Sequence, residues 1–171
     1  GDFDPAELTA QIDKMLSGWK TPKPYERIAM PHQPSSGEQL EINTPDKAMA
    51  LVMIGGSLDL RDDDADFPAA QIGNMILGSG GNSRLLNRLR QKEGFSYTVR
   101  SSLQVKSQDR SAGLSIFANC APANAPKCAD AAREEIARLL KEGITAKELD
   151  DAKNSVAQQM RVTLSSDDAV T

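Results

Sequence analysis

Three aspartates, Asp62, Asp64 and Asp66, alternate along the chain like the carboxylates that open a calcium-binding loop. Such a loop also needs a glycine at its sharp turn and a glutamate that binds the ion through both oxygens. Phe67 and Gly73 stand at those two positions. The sequence therefore favours a solvated acidic loop that precedes a helix and caps its positive end.

The single histidine and a glycine-rich run exclude several other kinds of site. His32 is the only histidine, so this chain alone can build neither a Ser-His-Asp triad nor a two-histidine zinc site. It lies between prolines and is predicted to be a solvated turn residue. Gly78-Ser79-Gly80-Gly81 lacks the Gly-Lys-Ser/Thr ending of a phosphate-binding loop and the frame of a nucleophile elbow, so it predicts a tight turn between helices.

Composition narrows the classes of function further. A chain of 171 residues with 39% hydrophobic and 26% charged residues is typical of one domain with one core, and it contains no apolar run long enough for a membrane span. The net charge of −4 argues against nucleic acid as a partner.

Buried free thiols are favoured for Cys120 and Cys128 over a disulfide or a metal role. Bacterial periplasm and cytoplasm are both compatible with these properties.

The N-terminal part predicts one helix, a linker and three strands. Apolar residues at helical spacing predict a helix from Pro5 to Trp19, so that residues 1–24 form a leading helix and a linker. Three short β-like stretches then precede the acidic loop: Tyr25–Met30, Glu38–Ile42 and Lys47–Gly55. With the elements that follow, residues 25–171 are predicted to form an α+β sandwich, a mostly antiparallel sheet covered by helices on one face.

Two short helices are predicted on either side of the glycine-rich run. The first carries apolar residues from Ala65 to Ile76. The second is capped by Asn82 or Ser83 and ends where Gly94 can adopt a left-handed conformation.

Alternating residues then predict a hairpin with strands at 97–105 and 112–118, and place Tyr97 on the same face as Val99. Two longer helices follow, the first ended by Gly143 and the second opened by a capping box of Thr145 and Glu148. Ser165–Asp168 is predicted to fray.

The stretch from Ser83 to Tyr97 carries a resemblance to a known family. It reads Ser-Arg-Leu and then Leu-Arg, three residues, Gly, two residues and Tyr. This run resembles a segment in the C-terminal, non-zinc-binding half of pitrilysin/insulinase-type zinc metallopeptidases. The likeness extends more weakly over most of the chain, from the helix ending at Trp19 to the junction at Gly143–Leu149.

The resemblance implies roles for two residues, Arg90 and Tyr97, which match the family's substrate-contacting arginine and tyrosine. A guanidinium can donate to one or two peptide carbonyls, and a phenol can donate to a carbonyl oxygen as negative charge develops there. Without the resemblance, Arg90 could instead complement the carbonyl end of its helix, and Tyr97 could be an inward strand residue. No residue of this chain is assigned a catalytic or metal-binding role.

The resemblance also implies partners and a cofactor. The family hydrolyses peptides at a zinc ion held by a His-x-x-Glu-His helix, and no such string occurs here. Zinc is therefore expected on another domain or subunit, opposite this one, and the isolated chain is expected to be inactive and able to form a homodimer. The alternatives are a structural or assembly subunit of the same family, and an unrelated α+β enzyme that uses carboxylates alone.

Overall fold

A computed structural model describes residues 2–165 of the chain. Its helices and strands, in chain order, are α1 (Pro5–Leu16), β1 (Ala50–Leu58), α2 (Phe67–Asn74), a first π-helical segment (Met75–Ser79), a second π-helical segment (Leu86–Lys92), β2 (Ser96–Val105), β3 (Ala112–Cys120), a 3₁₀ turn (Pro122–Asn124), α3 (Ala125–Glu142) and α4 (Ala146–Leu164). Of the stretch predicted to fray, Ser165 forms a turn after α4, and residues 166–168 lie outside the described part.

The three strands form one antiparallel sheet in the order β1-β3-β2. Residues that face one side of the sheet, such as Val99, Ile116 and Ala118, are buried in a cluster with helical side chains, among them Leu85 and Leu89. The other side carries exposed residues. The prediction of an α+β fold with an antiparallel sheet covered by helices on one face is therefore confirmed.

Two of the three strands predicted before the acidic loop are wrong. Tyr25–Met30 and Glu38–Ile42 form neither strand nor helix, and the third stretch forms β1 with its bounds moved to Ala50–Leu58. Alternating apolar residues favour an extended chain, but a strand also needs a partner edge, and Leu40 and Ile42 stay 77% and 74% exposed.

Helix α1 begins as its sequence predicts, but its apolar stripe stays exposed. Asp4 caps it, with Oδ1 accepting hydrogen bonds from the backbone N–H groups of Ala6 at 2.7 Å and Glu7 at 3.3 Å. None of its residues is buried, and the large apolar side chains at one helical face remain accessible: Leu8, Ile12, Met15 and Leu16. The helix ends at Leu16 rather than at Trp19.

The second half of the glycine-rich run, Gly80 and Gly81, lies in the predicted turn between two helical segments, whereas Gly78 and Ser79 end the first segment. Gly78 also allows a close approach. A Cβ atom at Gly78 would lie 2.7 Å from both the backbone N and the Oγ of Ser101 on β2. The Ser101 hydroxyl in turn donates to the side-chain oxygen of Asn74 at 2.6 Å. The absence of a side chain at position 78 thus lets the first π-helical segment pack directly on the sheet.

The second π-helical segment ends as predicted, but its predicted serine cap is wrong. Gly94 has φ +64°, in the left-handed region. The Ser83 hydroxyl is buried and has no hydrogen-bond partner among residues 2–165, so it does not cap the segment. The Asn82 side chain makes no cap there either; it is the backbone carbonyl oxygen of Asn82 that accepts a hydrogen bond from the Asn87 side-chain amide, at 3.0 Å.

Ion pairs connect the acidic loop and the residues just before it to the tip of the β2–β3 hairpin. The Arg110 guanidinium contacts Asp59 at 2.9 Å and Asp64 at 2.5 Å. Asp66 makes no side-chain cap at the start of α2, so the predicted capping role is wrong. His32 is half-buried and its backbone N–H donates to the Arg110 carbonyl at 3.1 Å, which makes it a packed residue rather than the predicted solvated one.

Cys120 and Cys128 are free and buried, as predicted. Burial is the main cause that raises the pKa of the Cys128 thiol to about 12, with a further contribution from the neighbouring Cys120 thiol. The two thiols are therefore part of the core between β3 and α3. No helix in residues 2–165 has both the length and the apolar character that a bilayer crossing requires.

The predicted capping box at the start of α4 is present and has a second function. The Glu148 backbone N–H donates to the Thr145 hydroxyl at 3.2 Å, and the Thr145 backbone N–H donates to the Glu148 carboxylate at 2.8 Å. The same Glu148 carboxylate pairs with both Nε and Nη2 of Arg84 at 2.7 and 2.9 Å. One carboxylate therefore caps α4 and joins it to the chain just before the second π-helical segment.

This arrangement predicts a pH-dependent stability. The Arg84 guanidinium, followed by the Thr145 hydrogen bonds, lowers the pKa of Glu148 to about 2, below the ordinary value of 4.5. Because the folded-state pKa is depressed, the stabilisation is complete above about pH 5 and is lost as the pH falls toward 2. We expect Glu148→Gln, which keeps a cap acceptor, to lower the unfolding free energy by about 1–2 kcal/mol at pH 7, with the difference shrinking through that window.

Urea unfolding at a series of pH values measures this difference. Glu142→Gln is the matched control, since Glu142 forms a more exposed pair with Arg138 at 3.0 Å and should cost less than about 0.5 kcal/mol. Equal stability of the Glu148→Gln variant and the parent at pH 7 would contradict the role given to Glu148.

Candidate functional site

Tyr97 lies in a β-bulge that turns its side chain away from the core. Ser96 pairs with Cys120 and Thr98 pairs with Asn119, so Tyr97 is an extra residue with no partner of its own on β3. Ser96 and Val99 are buried, whereas Tyr97 is 65% exposed and Thr98 is also exposed. The prediction that Tyr97 shares a face with Val99 is wrong, because one inserted residue changes the alternation at this point.

Arg90 lies in the last turn of the second π-helical segment and is exposed. On the inward side of the segment, Leu89 is buried in the core. Arg88 forms ion pairs with Glu93 at 3.0 Å and with the buried Glu135 at 3.4 Å. Arg84 pairs with Glu148, as described above. Two of the three arginines in this region therefore fix the segment to α3 and α4, while Arg90 makes no hydrogen bond or ion pair within residues 2–165.

A tight connection links the two candidate residues. The backbone N–H of Glu93 donates to the Arg88 carbonyl at 3.0 Å, and that of Phe95 donates to the Leu89 carbonyl at 2.8 Å. The chain therefore leaves the helical segment at once, and Tyr97 follows roughly 7 Å further along the chain, two extended residues beyond Phe95. Arg90 and Tyr97 thus lie at the same end of β2, and both are accessible.

The exposed side of the sheet forms a shallow groove beside Tyr97. Its volume is about 510 Å³, and its lining comes from all three strands: Leu51, Thr98, Arg100, Ser102, Phe117 and Asn119. The Asn119 side-chain amide donates to the Thr98 hydroxyl at 3.0 Å. Alternation in the sequence places Thr98, Arg100 and Ser102 outward, but no signal in it indicates that they line a groove with Phe117 of β3.

The described residues offer no metal site. No group of three or more histidine, cysteine, aspartate or glutamate side chains in residues 2–165 is placed to hold a metal ion. Two aspartates of the acidic loop pair with arginines: Asp63 with Arg61, and Asp64 with Arg110. Arg90, Tyr97 and the groove residues Thr98 and Arg100 instead present exposed hydrogen-bond donors in this part of the molecule.

Comparisons with known proteins indicate the family of this chain. Residues 1–156 match the family model described as the peptidase M16 inactive domain. A curated relative, the non-peptidase homolog YmxG of Helicobacter pylori, is 25% identical over 156 residues, which cover 90% of this chain and 34% of that protein. The chain therefore spans about a third of the length of this relative.

Solved structures show the same fold. The peptidase M16 inactive domain from Pseudomonas fluorescens matches with a TM-score of 0.73 and 27% identity, over 92% of this chain and 37% of that one. A protease from Helicobacter pylori matches with a TM-score of 0.83 and 18% identity, over 99% of this chain and 41% of that one. The resemblance to the non-zinc-binding half of pitrilysin/insulinase-type peptidases is confirmed, and the chain belongs to the peptidase M16 inactive-domain family.

Proposed function

We propose that this domain is the substrate-holding half of a zinc metallopeptidase, in which Arg90 and Tyr97 bind the backbone of an extended peptide. The zinc site would lie on a facing domain or subunit. What supports the proposal is the outward position of Tyr97 in the β-bulge, together with an exposed Arg90 in the helical segment just before β2 that has no partner within the described residues. Bulges often occur beside functional sites, where they redirect a side chain.

The chemistry of the two groups fits a peptide backbone. The Arg90 guanidinium presents several N–H donors in one plane and can donate to carbonyl oxygens of a bound chain. The Tyr97 hydroxyl could donate to the carbonyl oxygen of the scissile peptide bond, on which negative charge would develop during hydrolysis; zinc on the facing half would supply the activation of water. The domain's own part would be to bind and orient the peptide and to stabilise that charge.

A second candidate function is that of a structural or assembly subunit. The name of the curated relative, a non-peptidase homolog, favours a role without catalysis for that protein. The exposed apolar stripe of α1 would suit contact with another domain or subunit, or with a second copy of this chain.

Peptide binding distinguishes the two functions. We expect the 171-residue chain to bind a fluorescein-labelled, unstructured peptide saturably, with Kd about 0.1 mM, which corresponds to about −5.5 kcal/mol. Fluorescence anisotropy measures this, and circular dichroism verifies that the chain is folded. A folded chain that shows no saturation up to several millimolar protein would contradict the peptide-holding function and favour the assembly role.

A further inference from the structure

The groove beside Tyr97 has an unusual distribution of charge. Arg100 is the only charged residue in the three strands, and none of them contains an aspartate or a glutamate. The chain as a whole has a net charge of −4, so a positive centre here departs from the average of the surface. Arg100 is exposed and makes no ion pair with any carboxylate in residues 2–165.

The strand register fixes what surrounds Arg100. It pairs with Phe117 on β3, which pairs in turn with Met53 on β1. Residues directly opposite each other have Cβ atoms about 5 Å apart, so these three side chains form one row across the exposed face. The row therefore places the Arg100 guanidinium beside two apolar side chains. Met53 is exposed and Phe117 is partly exposed.

The position of this row relative to Tyr97 matches the spacing of a bound peptide. Arg100 is three residues further along β2 than Tyr97, roughly 10 Å in an extended strand. An extended peptide held at Tyr97 and lying along β2 places the side chain about three residues away at that distance. A carboxylate is the group that pairs best with an exposed guanidinium through two parallel hydrogen bonds.

We propose that the exposed sheet face is a side-chain subsite of the peptide-binding surface, in which Arg100 selects an acidic residue of the substrate. The proposal rests on the proposed function, since it requires that a peptide bind beside Tyr97. Arg100 acts as a specificity-determining residue, and the apolar groups of Phe117 and Met53 accommodate the aliphatic part of the bound side chain.

Three labelled peptides of equal length, with a glutamate, glutamine or lysine pair at the same central positions, test the proposal by anisotropy. We expect the parent chain to bind the glutamate peptide about three- to fivefold more tightly than the glutamine peptide, the range typical of an exposed ion pair. The preference should weaken in 0.5 M salt. Arg100→Glu should reverse it, favouring the lysine peptide.

Lys153→Glu is the matched control, because it makes the same change in net charge at an exposed position on α4, away from the sheet. Equal affinities of the parent for all three peptides, or equal changes in Arg100→Glu and Lys153→Glu, would contradict the role of Arg100 and leave the proposed function intact. Failure of the parent to bind any of the peptides would instead contradict the proposed function. Light scattering that shows a dimer dissociated by Arg100→Glu would identify the face as a self-interface and also contradict the subsite.

Discussion

In the complete peptidase to which we propose this domain belongs, Tyr97→Phe is expected to lower kcat about 10²-fold, because removing one donor to a developing oxyanion typically costs that much or more. The substitution removes only the hydroxyl, and Tyr97 is 65% exposed, so the fold should be unaffected. KM should change little, since the lost hydrogen bond strengthens only as the carbonyl oxygen becomes negative. Tyr25→Phe, at a tyrosine that is also exposed, is the matched control.

Arg90→Ala is expected to act mainly on binding. Loss of hydrogen bonds from a charged donor to peptide carbonyls should lower kcat/KM about 10- to 100-fold. Arg161→Ala is the control, because Arg161 is likewise an exposed arginine in the last turn of its helix. Steady-state kinetics with an extended peptide measures both variants, and unchanged turnover in Tyr97→Phe and Arg90→Ala together would remove the proposed roles.

The second large effect concerns the contact between Gly78 and Ser101. A methyl group at position 78 would lie 2.7 Å from the backbone N of Ser101, and β2 cannot easily shift because it is paired with β3 along its length. We expect Gly78→Ala to lower the unfolding free energy by about 1–3 kcal/mol, and Gly78→Val by more.

Gly73→Ala provides the control for backbone effects. Gly73 lies in α2, and a Cβ atom there would meet nothing within 4 Å. Alanine is a better helix former than glycine, so this variant should be more stable than the parent by about 0.5–1 kcal/mol. Urea unfolding measures both variants, and changes of the same sign would show that packing against Ser101 is not what requires glycine at position 78.

The elements that the sequence predicts correctly depend on signals within a few residues. The capping box of Thr145 and Glu148, the left-handed Gly94 and the alternation of the hairpin each reflect local hydrogen bonding or side-chain direction. Glu38–Ile42 fails as a strand because pairing depends on a partner edge that a local pattern does not specify.

In the candidate site too, local sequence signals predict some features, and others depend on contacts between residues far apart in the chain. Arg90 is proposed from its motif, and the structure shows it exposed in the last turn of the second π-helical segment. The outward position of Tyr97 depends on a bulge that alternation does not predict, and the contact of Arg84 with Glu148 joins residues 64 positions apart. The sequence therefore indicates which residues to consider, whereas the register of β2 on β3 decides which of them reach the surface together.

The most direct test of peptide holding is a footprint of the bound peptide by nuclear magnetic resonance. A peptide with a nitroxide label at its centre is added to the ¹⁵N-labelled chain, and paramagnetic broadening is measured at backbone amides and at the Asn119 side-chain amide. Peptide holding at Arg90 and Tyr97 predicts strong broadening at residues 90 and 97–100 and at Asn119, with little effect on α4. Broadening centred on α1 or α4, with sharp signals at Tyr97 and Asn119, would contradict it.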